Sequence, residues 1–407
     1  MKDIYLDYAA TTPTAQKVIK AMKPYWHKNF ANPSSLYNLG QKVKKDINNA
    51  QKDIAQILTC QPGEIIFTSG GTSSINLAFK GLLLGEKEKS HFIISAIEHP
   101  AVLATAKYLQ KIGHEMSVIP VNKDGLIELE TLKKEIKDNT KLLSIMMANN
   151  EIGTIQPLRE IGKYLEKINK TRKNKIYFHS DACQGAGILE LNVNKLHLDL
   201  LTLSGSKIYG PKGIGILYVK KKTPLTPLIH GSQDNNLYSG TENVPGIIGL
   251  AFALKLTQAQ KEKEGKRLKK LRDYLIKEIL NKIPETKLNG HPEKRLANNI
   301  NISFLGVESE SILLYLDEEG VRVSGGAACQ AQEGELSPVI LALGQSPKRA
   351  SSAIRFSLGK YTTKKNIKYL MKKLPVIISF LRKTSFLENR ELKLKENIYN
   401  KGIGIGI

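Results

Sequence analysis

The chain has 407 residues, 41% of them hydrophobic and 24% charged. That is long enough for one large core and a second, smaller one, because single cores stop growing at roughly 250–300 residues, and the composition argues against both a disordered chain and a membrane protein. Lysine and arginine number 61 against 38 acidic residues, a net charge of +23. The excess is spread along the chain, as in Lys261, Lys263, Lys266, Lys269 and Lys270, without interleaved aromatics. A generally basic, solvated surface is therefore expected, with an acidic partner protein left open and direct nucleic-acid contact not expected.

In chain order, Met1 leads directly into Asp3 and a strand at 4–6, with no cationic and then apolar leader. No run approaches the ~18 apolar residues that a membrane span needs. Cys60, Cys183 and Cys329 lie far apart without a CxxC pair, which speaks against a disulfide framework or structural zinc and for a reducing cytoplasm. Short apolar runs then recur at 65–67, 91–95, 142–147, 176–179, 200–203 and 215–219, and most are followed by a turn and a helical stretch. Strands alternating with helical crossovers predict an α/β fold, a large domain whose mostly parallel sheet is flanked by helices.

Three strand ends carry chemistry. After the first run, Thr68-Ser69-Gly70-Gly71-Thr72 opens a helix. Two glycines let the backbone approach an anion and the helix N-terminus offers unpaired N–H groups, although Gly-Gly before a helix serves equally as a tight turn. After the fourth, Ser180-Asp181-Ala182-Cys183-Gln184 puts Asp181 at a strand's carboxyl end, where α/β sheets bind ligands. A carboxylate there can keep a pyridinium nitrogen protonated, or simply cap the next turn. After the fifth, Lys207 sits in the hydroxyl- and glycine-rich loop Ser204-Gly205-Ser206-Lys207-Ile208-Tyr209-Gly210. Such a loop suits a Schiff-base lysine beside a phosphate, whereas a lone lysine in so basic a chain is more often a surface charge. In this order the three read together as a site for pyridoxal phosphate.

Around Leu256 the pattern changes to a charged helix in which Leu268, Leu271, Leu275 and Ile279 recur at helical spacing. A strand at 299–304, a helix at 309–316, a strand at 321–323 and a closing helix at 364–381 predict a smaller α+β domain. The expected division is a large domain over 15–255, a small one over 1–14 and 256–383, and a tail over 384–407 with little core-forming potential. Cys329 follows Gly325, Gly326, Ala327 and Ala328. A thiol in such a loop is a candidate nucleophile, because the thiolate is the form that attacks sulfur; Cys60 and Cys183 read as buried, inert thiols.

The chain resembles the cysteine desulfurases of the NifS/IscS-like group, within the class V aminotransferase family of fold-type I pyridoxal-phosphate-dependent transferases. The resemblance covers about residues 3–382 and is carried by ordered motifs, among them Asp7-Tyr8-Ala9-Ala10-Thr11-Thr12-Pro13, Asn32-Pro33-Ser34-Ser35, Glu98-His99-Pro100, Asn149-Asn150-Glu151-Ile152-Gly153, Ser239-Gly240-Thr241 and Arg355-Phe356-Ser357. It implies that Lys207 carries the cofactor and Asp181 meets the pyridine nitrogen. Gln184 would bond the ring oxygen, and His99 would stack on the ring and assist proton transfer. Gly71, Thr72, Ser204 and Ser206 would surround the phosphate, with Thr241 reaching the phosphate of a neighbouring subunit in a homodimer. Asn150 and Arg355 would receive the substrate carboxylate. The implied reaction converts L-cysteine to L-alanine and leaves a persulfide on Cys329 for a sulfur-acceptor protein, such as an iron-sulfur scaffold or a thiolation enzyme. A scaffold that binds partners without turnover, or another class V enzyme such as a selenocysteine lyase, are the alternatives. This chain departs from the family pattern at Ser206 (usually histidine), Tyr238 (arginine), Asp234-Asn235 (Glu-Arg), Ser73 (glutamate) and Tyr37 (histidine).

Overall fold

A seven-stranded sheet covered on both faces along its central strands dominates the computed structural model, which describes residues 3–85, 88–231, 237–325 and 336–400, with side chains described as far as Thr384. After β1 (Ile4–Tyr5) the chain forms β2 (Ile65–Thr68), β3 (His91–Ser95), β4 (Glu115–Ile119), β5 (Thr140–Ser144), β6 (Tyr177–Asp181), β7 (Leu200–Ser204) and β8 (Gly215–Val219). The sheet order is β2-β8-β7-β6-β5-β3-β4. β8 runs against β2 and β7, and the remaining pairs are parallel. Side chains alternate along each strand between two cores, Phe67, Leu143 and Leu201 entering one and Ile66, Leu142 and Leu200 the other. With both faces covered, a strand reads as a continuous apolar run rather than an alternating one. The shared direction also brings the carboxyl ends of β2, β3, β5, β6 and β7 to one edge.

The second unit is a four-stranded antiparallel sheet. Its strands are β9 (Thr286–Leu288), β10 (Asn299–Phe304), β12 (Ser324–Gly325) and β13 (Ala353–Ser357), while β11 (Val321–Arg322) pairs in parallel with β1. Ile4 and Leu6 join Ile300, Ile354, Leu275 and Leu370 in its core. The α/β architecture, with a large, mostly parallel sheet and a smaller α+β unit, agrees with the sequence expectation.

Three details differ. The change of pattern near Leu256 falls inside one uninterrupted helix, Val244–Lys282, whose Leu250 and Leu254 enter the first core and whose Leu268 and Leu275 enter the second. The sequence therefore registers a change of packing partner, with no break in the backbone. β4, β9, β12 and β13 were not anticipated: β4 is an edge strand with exposed Glu115 and Val118, and charged edges blunt aggregation but blur the strand signal, while β13 is buried but carries Arg355 and Ser357 among its apolar residues. The closing helix continues as backbone to Asn400, past the expected stop at residue 381, through a stretch rich in strong helix formers such as Glu388, Glu391, Leu392 and Lys393. Among the described residues, no helix is long and apolar enough to cross a membrane.

Candidate active site

At the carboxyl edge of the larger sheet lies a cavity of about 610 Å³ lined by Gly71, Thr72, His99, Asn150, Asp181, Gln184, Ser204, Ser206 and Lys207. Residues spread over 137 positions of sequence meet here because each lies at or beyond the carboxyl end of a strand of the same direction, and a parallel sheet presents such ends together. The phosphate-like loop runs from β2 through Gly70, at φ +152°, into the helix Gly71–Leu83. A Cβ at Gly71 would stand 3.1 Å from Cys183 Sγ, tighter than ordinary contact, so glycine lets the helix start lie close to the β6 turn. Thr72, Ser204 and Ser206 add hydroxyls, the last two 3.1 Å apart. Hydroxyls and a helix N-terminus together suit an anion.

Lys207 closes a short 3-10 turn, Gly205–Lys207, at the end of β7. Its Nζ donates to the carbonyls of Ala9 (3.0 Å) and Ala10 (2.5 Å), and Gln184 Nε2 donates to the same Ala9 oxygen at 3.0 Å. The N-terminal segment thus positions two cavity residues through its main chain. Lys207 and Gln184 also line a second cavity, of about 800 Å³, shared with Tyr8, Tyr209, Leu268 and Leu358 where the two cores meet.

Asp181 caps a turn and also faces the cavity. Oδ1 accepts the Cys183 N–H at 2.9 Å, capping the turn after β6, and the residue lines the cavity. His99 is the N-cap of the helix Pro100–Lys111, and its Nδ1 accepts the Ala101 N–H at 3.1 Å. An imidazole nitrogen that accepts a hydrogen bond carries no proton, which leaves the proton of the neutral ring on Nε2. Burial lowers the His99 pKa, with Asp181 opposing and Lys207 assisting, so the ring is neutral near pH 7.

Two buried groups flank these residues. His179, two residues before Asp181 on β6, is held between Ser144 Oγ (2.8 Å) and Thr202 Oγ1 (3.0 Å), and burial lowers its pKa to about 4. Glu98 Oε1 accepts from Ser95 Oγ (2.5 Å) and the Met146 N–H (2.8 Å), while Oε2 finds no partner among the described residues. Burial raises the Glu98 pKa to about 8. Both groups are therefore neutral at pH 7, and neither adds charge next to Asp181.

Not every expected residue joins the cavity. Arg355 is 1% exposed, with Nη2 2.7 Å from Asp7 Oδ1 and Nη1 3.2 Å from the Asn150 carbonyl. It stands behind Asn150, off the cavity lining, and its Nε has no partner among the described residues. Thr241 is exposed and lies off the lining as well. Cys329, Asp234 and Asn235 fall outside the described residues. Tyr238 places its hydroxyl 3.1 Å from Ser69, itself 2.6 Å from Ser73, so two of the departures from the family pattern join one hydroxyl cluster beside the Gly-Gly loop. Ser206 lines the cavity, and Tyr37 is exposed.

Cys183 is buried, as expected, and burial pushes its thiol pKa well up; it nevertheless lines the cavity, a placement its position between Asp181 and Gln184 could have signalled. The carbonyls of Ala9 and Ala10 had no side-chain signal to find. Among the described residues no cluster of His, Cys, Asp and Glu could hold a metal ion.

Comparison with known proteins gives a consistent picture. Residues 4–370 match the family described as aminotransferase class-V. The protein named cysteine desulfurase IscS from Dictyoglomus turgidum is 46% identical over 386 residues, which is 94% of this chain and 96% of that one. A solved structure of a NifS-like protein superposes with a TM-score of 0.87 at 35% identity, covering 93% of this chain and 100% of that one. A structure described as SspA in complex with cysteine gives a TM-score of 0.77 at 35% identity, covering 88% and 100%.

Proposed function

This chain belongs to the class V aminotransferase family and is a cysteine desulfurase, and from that premise we propose that its carboxyl-edge cavity holds pyridoxal phosphate, takes L-cysteine and delivers the sulfur to Cys329. The observation that carries the proposal is the convergence of Lys207, Asp181, Gln184 and His99 with the hydroxyls of Thr72, Ser204 and Ser206 on one cavity.

The donor set fits the cofactor. Gly71, where a Cβ would crowd Cys183, opens the helix that with the three hydroxyls would hold the phosphate; Asp181 would hold the ring nitrogen, Gln184 the ring oxygen, and the Lys207 amine the aldehyde carbon. Bound there, pyridoxal phosphate supplies an electron sink for the pair left when the substrate loses the proton next to its amine. His99, neutral with its proton on Nε2, can exchange a proton without first shedding a charge. Asn150 lines the cavity and would meet the substrate carboxylate, while Arg355 backs its carbonyl and would have to turn from Asp7 to present its planar fork to that carboxylate.

In the sulfur step the Cys329 thiolate bonds to the substrate sulfur as the Cβ–S bond breaks. That bond's electron pair stays with carbon, which takes up a proton. One S–S bond replaces one C–S bond, with alanine as the other product and no external oxidant. A homodimer in which Thr241 reaches the neighbouring site agrees with its exposure away from this chain's own cavity. The acceptor would be an iron-sulfur scaffold or a thiolation protein, and the setting the cytoplasm.

The test is alanine and sulfide release from L-cysteine by cofactor-loaded protein. Equal yields of the two under reductant are expected. Cys329→Ser should stop sulfide release with cofactor still bound, and continued release in that variant would overturn the role of Cys329. A protein that cannot take up pyridoxal phosphate would overturn the proposal as a whole.

A further inference from the structure

The described residues resume at Leu336, seven positions after Cys329, and the next residue is Ser337. There Ser337 Oγ donates to Glu151 Oε2 at 2.6 Å and also caps the helix Pro338–Ala342 by accepting the Ile340 N–H. Glu151 is 2% exposed and follows Asn150, which lines the cavity. The turn holding both is clamped along its length. Asn149 Oδ1 accepts the N–H groups of Glu151 and Ile152, and Asn149 Nδ2 donates to the Ile97 carbonyl, two residues before His99. The Asn150 and Glu151 carbonyls accept from Asn299 and Asn301 on β10. Val339 and Ile340 of the capped helix pack with Ile97, Met146 and Ile152 in a separate small core, and Met146 is itself part of the cavity wall.

We infer that Glu151 is a positioning residue for sulfur transfer: through Ser337 it fixes where the Cys329 segment rejoins the fold, on the same rigid turn that supplies Asn150 to the cavity. The inference rests on the proposed role of Cys329. A buried carboxyl without a lysine or arginine hydrogen-bonded to it is costly as an ion, and burial raises the Glu151 pKa, with the Ser337 bond and Arg355 opposing. An amide of the same shape should therefore serve in its place, whereas truncation should not.

The experiment compares Glu151→Ala, Glu151→Gln and Ser337→Gly, the last removing the donor at little cost to the helix cap. Two readouts are taken by peptide mass spectrometry, persulfide formation on Cys329 after mixing with L-cysteine and alkylation of Cys329 by iodoacetamide without cofactor. Glu151→Ala and Ser337→Gly are expected to slow persulfide formation about tenfold to a hundredfold, the scale of a ~1 Å misplacement, and to change the alkylation rate, with cofactor affinity and KM for cysteine within about twofold of wild type. Glu151→Gln should restore both rates. Unchanged rates in Ser337→Gly and Glu151→Ala would overturn the inference, as would loss of cofactor affinity in step with persulfide formation, the sign of a strut for the cavity alone. If Glu151→Ala does not fold, Ser337→Gly carries the comparison. A wild-type protein that takes up no cofactor would sink the proposed function while leaving the alkylation comparison to decide this one.

Discussion

The carboxyl edge of the larger sheet and the smaller antiparallel unit contribute to the site in different ways. At the first, the lining residues sit at or beyond the carboxyl ends of strands and reach the cavity by themselves, as Asp181 does at the end of β6 and Lys207 after β7. At the second, contact with the cavity runs through intermediaries: Arg355 on β13 meets Asp7 and the Asn150 carbonyl, and Glu151 meets Ser337. A parallel sheet makes strand ends converge whatever the side chains are, while the smaller unit contributes through the way it docks. Mutations at the first should therefore remove chemistry, and mutations at the second should disturb position and stability together.

The largest effect belongs to the first region. Lys207→Ala should abolish the visible absorbance of bound cofactor and lower alanine formation on the order of a thousandfold or more, with thermal stability of the cofactor-free protein little changed. A variant that kept the absorbance band would break the comparison at its stronger end. Next comes Arg355→Ala in the second region. It leaves Asp7 and the Asn150 carbonyl without their cationic partner, and removing one member of a buried pair costs about 3–5 kcal/mol, measurable by urea unfolding. Arg355→Lys sharpens the point, since a point charge replaces the planar fork and should raise KM for L-cysteine about tenfold. An unchanged KM with lowered stability would reduce Arg355 to a strut.

Glu98 gives an effect set by pH. Its pKa of about 8 in the fold stands above the ordinary 4.5. Its contribution to stability is thus fully present below about pH 4.5 and is lost as pH rises through 8, because the unfolded chain releases the proton first. Glu98→Gln should therefore match the wild type near pH 5 and exceed it near pH 8.5 by up to a few kcal/mol, read from melting temperature across pH. A variant less stable at pH 8.5 would mean that the carboxyl is ionised and paired. The smallest effect is Tyr238→Phe, which removes the hydroxyl facing Ser69. At about 1 kcal/mol for a hydrogen bond, cofactor affinity should fall severalfold in an absorbance titration, and no change would make the Ser69, Ser73 and Tyr238 cluster incidental.

Much of this was legible beforehand, and what was missed has a shared cause. The buried strands β2, β3, β6, β7 and β8 announced themselves as apolar runs because both faces of the sheet are covered. β4, β9, β12 and β13 did not: β4 and β9 carry polar residues such as Glu115 and Lys287, β12 is only two residues long, and β13 mixes Arg355 and Ser357 with its apolar residues. The neutral state of Glu98 and the anchor between Glu151 and Ser337, 186 residues apart, had no local signature. Burial and long-range pairing are properties of the packed chain.

By itself the sequence determined the α/β class, most of the buried strands and the three strand ends that meet at Lys207, because strand periodicity and turn chemistry are local and parallel strands bring their ends together. The tertiary structure alone decided how the Lys207 amine is held by the Ala9 and Ala10 carbonyls, that Arg355 stands behind Asn150, and that one helix serves two cores. Main-chain acceptors, desolvation and the docking of two sheets depend on positions in space that no run of neighbouring residues specifies.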